Sequence, residues 1–189
     1  MDKRNVVIHF IRHAESTANK AGKTNPDEYM SEKWFDAVLT PNGINQAKEL
    51  QNISIKPDLV YTSPFRRTFM TLYYSLALYN LNNLPIIIDN RIGEIQNGHP
   101  CNYNNYYDKI PIDNRPIETE EDLINRGKLW FRDMIKHVKK NSTIQNVFVY
   151  THGMFIYTFL NDLSSTIDNN CTGFPKNTQI CSINISKFI

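Results

Sequence analysis

The sequence predicts an α/β protein: a three-layer sandwich with a mostly parallel central sheet and helices on both faces. Two observations lead there. Short apolar runs rich in Val and Ile, such as "VVIHFI", "LPIIID" and "NVFVYT", alternate with longer segments of helical period. No internal repeat or linker interrupts this alternation. The 189 residues suffice for one good core and are short for two full domains, so residues 1–189 are expected to form a single domain.

Residues 5–11 read as a buried strand, and residues 17–38 as a loop with a short helical piece. "LTPNGINQAKEL" (39–50) opens a helix. Thr40 stands at the N-cap, Pro41 in the first turn, and Ile44, Ala47 and Leu50 near one face. "DLVYTS" (58–63) is a second strand. The helix after it is expected over 63–80, with Ser63 as cap and Phe65, Phe69, Leu72 and Leu76 as its apolar stripe. "LPIIID" (84–89) is a third strand. Residues 90–117 have no regular period and form a long loop, a feature that in compact domains is often functional. The longest helix spans 119–140, with Thr119 and Asp122 at capping-box spacing. Residues 146–151 form a fourth strand, 153–163 a helix leaving it, and 177–185 a last strand.

Composition narrows the functional classes. A net charge of +2 with no Lys/Arg block longer than two residues argues against a nucleic-acid partner. No apolar stretch approaches the roughly 20 residues of a membrane span, and the N-terminus has no signal-peptide pattern. Cys101, Cys171 and Cys181 are odd in number and lack C-x-x-C spacing, so neither a disulfide framework nor a zinc site is expected. Together these features imply a reduced, cytoplasmic setting.

In doubly wound sheets the functional crevice lies beyond the carboxyl ends of the strands. Arg12 and His13 follow the first strand, Ser63 to Arg67 the second, Glu94 the third and His152 the fourth. Two arginines and two histidines at one edge repel one another unless an anion sits among them. A phosphoryl group suits them, because guanidinium forks match its oxygens and helix N-termini, such as that at Gly153, add main-chain N–H groups. Beside such cations a histidine loses proton affinity, and a neutral imidazole is a nucleophile.

These residues resemble the histidine phosphatase superfamily, also called the phosphoglycerate mutase-like family. "RHAESTAN" (12–19) is similar to its Arg-His-Gly signature, with Ala14 in the Gly place. "LTPNGINQA" (39–47), "VYTSPFRRTFMT" (60–71), "RIGEIQNG" (91–98), "ETEEDLINR" (118–126) and "VFVYTHGMFI" (147–156) resemble further blocks in the family's order. The resemblance implies the family's fold and a set of roles. His13 would be the phosphorylated nucleophile. Arg12, Arg67 and His152 would hold the phosphoryl group, Asn19 would add a polar contact, and Glu94 would be the general acid and later the base. Ser63 would support them, and the resemblance implies no metal and no organic cofactor. Ala14 adds a methyl group near a tight turn and leaves the local pocket shape open.

Each residue also has a plainer reading. Arg12 and His13 alone would be strand-end surface residues, and His152 alone a turn histidine. His9 reads as structural or as a support of the site, His99 as a solvated loop residue whose other reading is contact with substrate, His137 as surface, Arg66 as solvent-facing or a salt-bridge partner, and Glu15 as a partner for a neighbour. Glu118, Glu120 and Glu121 suit a helix N-terminus on dipole grounds. Lys20 and Lys23 read as surface lysines, and Tyr103, Tyr106 and Tyr107 as pocket wall or core cover. The function expected is hydrolysis of a phosphomonoester, from a small molecule or a phosphoprotein, through a phosphohistidine on His13. The alternatives are phosphoglycerate mutase-type transfer and a non-catalytic phospho-ligand or protein-binding module. A module of that kind should lack a core group, and none is missing.

Overall fold

Five strands form one sheet in the order β3-β2-β4-β1-β5. They are β1 (Val7–Arg12), β2 (Leu59–Thr62), β3 (Ile86–Ile88), β4 (Asn146–Thr151) and β5 (Ile180–Asn184). The structure is a computed structural model and describes residues 4–79, 81–104, 114–164, 166–167, 170–171 and 173–189. The pairs β1/β4, β2/β4 and β2/β3 are parallel, and β5 alone runs antiparallel, beside β1. Register sets where the strands finish. Arg12 pairs with Thr151, while Thr62 pairs with both Tyr150 and Ile88. The four parallel strands therefore end level, and His13, His152, Ser63 and the turn before Glu94 leave the sheet along one edge.

The period-2 pleat sends alternate residues to opposite faces. Ile8, Phe10, Leu59, Tyr61, Val147 and Val149 pack in one cluster with α4 (Glu120–Lys140) and α5 (Gly153–Leu163). Ile11, Val60, Phe148 and Tyr150 point the other way, to Leu72 and Leu76 of α3 (Arg66–Ser75) and its end. The helix α2 (Pro41–Glu49) packs on α3, and α1 (Thr17–Thr24) precedes it. The α/β sandwich expected from the alternation is the observed one. Trp130 of α4 is fully buried against Phe10, Phe155 and Phe159, and each such aromatic contributes on the order of 2 kcal/mol by burial. The capping boxes form as the sequence predicts at Thr119/Asp122, and one not foreseen forms at Ser16/Asn19.

Local signals misled in three places. Ser63 does not cap α3. Its hydroxyl is bound to His152, the helix starts at Arg66, and the distant Asp36 carboxylate accepts the Arg66 N–H at 3.0 Å instead. The helix also ends at Ser75 rather than 80. His137 is half-buried rather than a surface residue, because Tyr61 Oη lies 3.2 Å from its Nδ1. Cys171 and Cys181 form a disulfide with Cα atoms 5.0 Å apart, against the expectation of unpaired thiols. Pairing of β5 with β1 fixes Cys181 inside the core, and the chain returning from α5 passes beside it. Cys101 remains a free, buried thiol. No described helix is long and apolar enough to cross a membrane.

Candidate active site

His13 follows the last residue of β1 and donates its N–H to Thr151 O at 3.0 Å, which continues the ladder one step past the strand. The residue is only 2% exposed. Nδ1 lies 2.8 Å from the carbonyl oxygen of Ala14. A carbonyl only accepts, so Nδ1 carries the proton and Nε2 of the neutral ring is left as a lone pair. No hydrogen bond to Nε2 occurs among the described residues. Ala14 fits without a positive φ, and its methyl group packs with Leu39 and Ala47. Its N–H donates to Thr71 Oγ1 at 3.0 Å.

His152 follows the last residue of β4 and stands at the N-cap of α5, fully buried, with its ring centroid 5.3 Å from that of His13. Arg67 Nη2 donates to its Nδ1 at 3.0 Å, and its Nε2 lies 2.7 Å from Ser63 Oγ. Arginine has no acceptor, so the His152 tautomer is fixed with Nε2–H donating to Ser63. Both ring nitrogens are thus engaged. Arg67 is 3% exposed, donates from Nη1 to Cys101 O at 2.6 Å and lies over the Phe65 ring. Arg12 donates from Nη1 to Pro175 O at 2.7 Å and stacks on Phe174. Its buried Nε has no partner among the described residues. Gly153 admits this arrangement: a Cβ there would stand 2.4 Å from Phe174 Cζ and 3.1 Å from Arg12 Nε.

Glu94 is buried near the N-terminus of α5, where Oε1 accepts the Ile95 N–H at 3.0 Å and Oε2 faces the Met154 N–H at 3.5 Å. The turn that carries it is clamped from α4. Arg126 donates to the carbonyls of Arg91, Gly93 and Glu94 and forms an ion pair with Glu118. Asn19 lies in the first turn of α1, with Oδ1 accepting the Ser16 N–H at 3.2 Å. Two clefts open here. One of about 480 Å³ is lined by Arg12, Asn19, Lys23, Tyr29, His99 and Asn177. The other, about 340 Å³, is lined by Phe65, Glu94, Gln96, Asn104, Glu118 and Arg126 among others.

The structure therefore brings Arg12, His13, Arg67, His152, Ser63, Glu94, Asn19 and Gly153 to one sheet edge. It keeps others away. His9 is bound to Ser182 inside the sheet, and Arg66 and Lys20 are exposed. Glu15 is held by Lys23, Thr40 and Asn42. Tyr103 is fully buried, while Tyr106 and Tyr107 lie outside the described residues. Groups of His, Cys, Asp and Glu arranged to hold a metal ion are absent among the described residues.

Residues 8–188 match the family model of the histidine phosphatase superfamily, branch 1. The chain belongs to that superfamily. A phosphoglycerate mutase-like protein of Arabidopsis thaliana is 29% identical over 153 residues, which cover 62% of this chain and 56% of the relative. The chain thus spans little more than half of that protein's length. Phosphoserine phosphatase 1 of Hydrogenobacter thermophilus is 35% identical over 95 residues, 49% of this chain and 40% of the relative. Among solved structures, phosphoglycerate mutase from Bacillus anthracis superposes with a TM-score of 0.73 at 18% identity, over 97% of this chain and 89% of that one. That likeness establishes the phosphoglycerate mutase-like fold.

The superfamily resemblance, read from motifs, passed over a group of residues that the structure adds to the site. Phe174, Pro175 and Asn177 wall the Arg12 side, Tyr29 and His99 stack edge to face across one cleft, and Arg126 clamps the Glu94 turn. Arg126 had a signal, as the arginine that closes the "ETEEDLINR" block, and His99 had one in its place within the long loop.

Electrostatics reflect burial among cations. Burial first, then Arg67 and Arg12, hold the His13 pKa well below 6.5. Burial first, then Arg67 and His13, do the same for His152. In the unfolded chain both titrate near 6.5. Below that pH the unfolded chain binds protons that the folded chain refuses, so stability is fully present above pH 6.5 and is lost as the pH falls. The slope reaches about 1.4 kcal/mol per pH unit for each histidine until the folded values are passed. Urea unfolding at pH 7.5 and 5.5 checks this: the midpoint is expected to drop at 5.5, and equal midpoints would contradict neutral, buried imidazoles.

Proposed function

We propose that the chain is a phosphatase that hydrolyses phosphomonoesters through a covalent phosphohistidine on His13. One observation carries the reading: His13 spends its Nδ1 proton on Ala14 O and keeps Nε2 as a lone pair, within the electrostatic reach of Arg67 and Arg12. Nε2 attacks phosphorus, a P–N bond forms, and the ester P–O bond breaks. The charge on the transferring oxygens is met by Arg12, Arg67, the Asn19 amide and the N–H groups opening α5 at Gly153. His152 aims Arg67 through its Nδ1 and is braced by Ser63. Glu94 gives the leaving oxygen its proton, then takes one from the water that cleaves the P–N bond. The superfamily and the phosphatase-named relative support phosphatase or mutase chemistry.

Hydrolysis is favoured over mutase transfer by the cover. Only 23 residues, 95–117, separate Glu94 from Glu118, and a mutase must close its site over the intermediate to exclude water. The test is a panel of phosphate esters that includes 3-phosphoglycerate. Free phosphate is expected to accumulate. Conversion of 3- to 2-phosphoglycerate without phosphate release would overturn hydrolysis in favour of transfer, and inertness toward every ester would leave a binding module.

A further inference from the structure

The segment between α5 and β5 supplies a residue to which the catalytic scheme gives no part. Asn177 lines the Arg12 cleft. Its Nδ2 lies 2.9 Å from the main-chain oxygen of His13 and 3.4 Å from Asn19 Oδ1. A carbonyl only accepts, so the Asn177 group that faces His13 is the NH2. The same NH2 faces Asn19, and the Asn19 atom opposite it must therefore be oxygen. The Ser16 N–H, aimed at that same Oδ1, demands this independently. With its oxygen held by two donors, Asn19 has only its NH2 to offer the cleft that it lines, and no protein group takes that NH2 among the described residues. Without those donors the amide turns freely and offers an anion its acceptor as readily as its donor.

The support for Asn177 is itself costly to build. The chain turns at Lys176–Gln179 with Thr178 at φ 58°, a region that β-branched residues avoid and that is sustained where surrounding bonds over-determine it. Those bonds run to the site: Thr178 N–H donates to Arg12 O at 3.1 Å, and Arg12 N–H to Gln179 O at 3.2 Å. The disulfide Cys171–Cys181 closes the loop that carries the turn.

We infer that Asn177 is a positioning residue, which together with the Ser16 N–H holds Asn19 as a one-way hydrogen-bond donor to a phosphoryl group and fixes the main chain beneath the His13 nucleophile. The inference rests on the phosphatase reading. Its test uses inorganic phosphate as the probe, titrated calorimetrically against the full chain, in a cycle of wild type, Asn177→Ala, Asn19→Ala and the double variant. Asn177→Ala is expected to weaken phosphate binding roughly five- to tenfold, less than the loss of a whole hydrogen bond to a charged group because the Ser16 N–H still holds Asn19 Oδ1, and to add little once Asn19 is already alanine. An unchanged phosphate affinity, or an equal loss in both backgrounds, would overturn the inference. A merely structural role would lower the melting temperature and leave the two losses additive. Asn177→Ser replaces Asn177→Ala in the cycle if the alanine variant does not fold. Wild type that binds phosphate without hydrolysing esters would defeat the phosphatase reading alone, whereas wild type that binds none would defeat both.

Discussion

His13→Ala is expected to lower phosphate-ester hydrolysis on the order of 10⁴-fold while the protein stays folded. The size reflects what the ring does in the proposed scheme: without Nε2 there is no covalent route, and water must attack a phosphoryl group held among cations without a base behind it. The fold is expected to survive because His13 is held by one side-chain bond, to its own neighbour Ala14, while the strand register is set by main-chain pairing. Burial also penalises the imidazolium, so alanine relieves an acid-side instability as it opens a small cavity. A rapid quench of wild type with a labelled aryl phosphate should trap an acid-labile, alkali-stable phosphoprotein, absent from the variant. Wild-type rates in His13→Ala, with no trapped species in either protein, would rule out the nucleophile assignment.

Glu94→Gln should be nearly as damaging, but only for some substrates. Glutamine keeps the size and the oxygen that accepts the Ile95 N–H and gives up only the long contact of Oε2 with the Met154 N–H at 3.5 Å, so the turn clamped by Arg126 is expected to hold its place. What is lost is a proton to give. Alkyl esters, whose alkoxide leaves poorly, should slow by roughly 10²–10⁴-fold, the usual worth of general acid catalysis. A nitrophenyl ester, whose phenolate leaves unaided, should slow far less in its first step. The measurement is the ratio of the two losses. A uniform loss across leaving groups would mean that Glu94 serves the site some other way, for instance by its charge beside Arg12.

The strands β1, β2 and β4 were legible because they are buried on both faces and so read as nearly continuous apolar runs, whereas β3, exposed at the sheet edge, was marked by its three isoleucines and β5 by its alternation. The positions of Arg12, His13 and His152 were legible for a related reason: polar residues ending such runs lie at the one edge where parallel strands finish together. What failed was local grammar overruled from afar. Ser63-Pro64 has the look of a helix cap, but the Ser63 hydroxyl is taken by His152 from another strand, and Asp36 does the capping. Cys171 and Cys181 carry no spacing signal, because it is the antiparallel return of β5 that brings them together. The same return places Phe174, Pro175 and Asn177 against Arg12 and His13, and no period or motif marks that stretch. Side chains that act through the main chain of their neighbours leave little trace in sequence.

The position of β1 in the sheet bears on how the protein is made. Ile8 is paired with Val147 on one side and Ile183 on the other, so the earliest strand is bracketed by the two latest. At ribosomal rates of about 5–20 residues per second, β1 emerges with both edges bare and waits on the order of ten seconds for its first partner. During that interval an apolar ribbon with unpaired amides is open to other chains, and nascent-chain chaperones have their clearest target there.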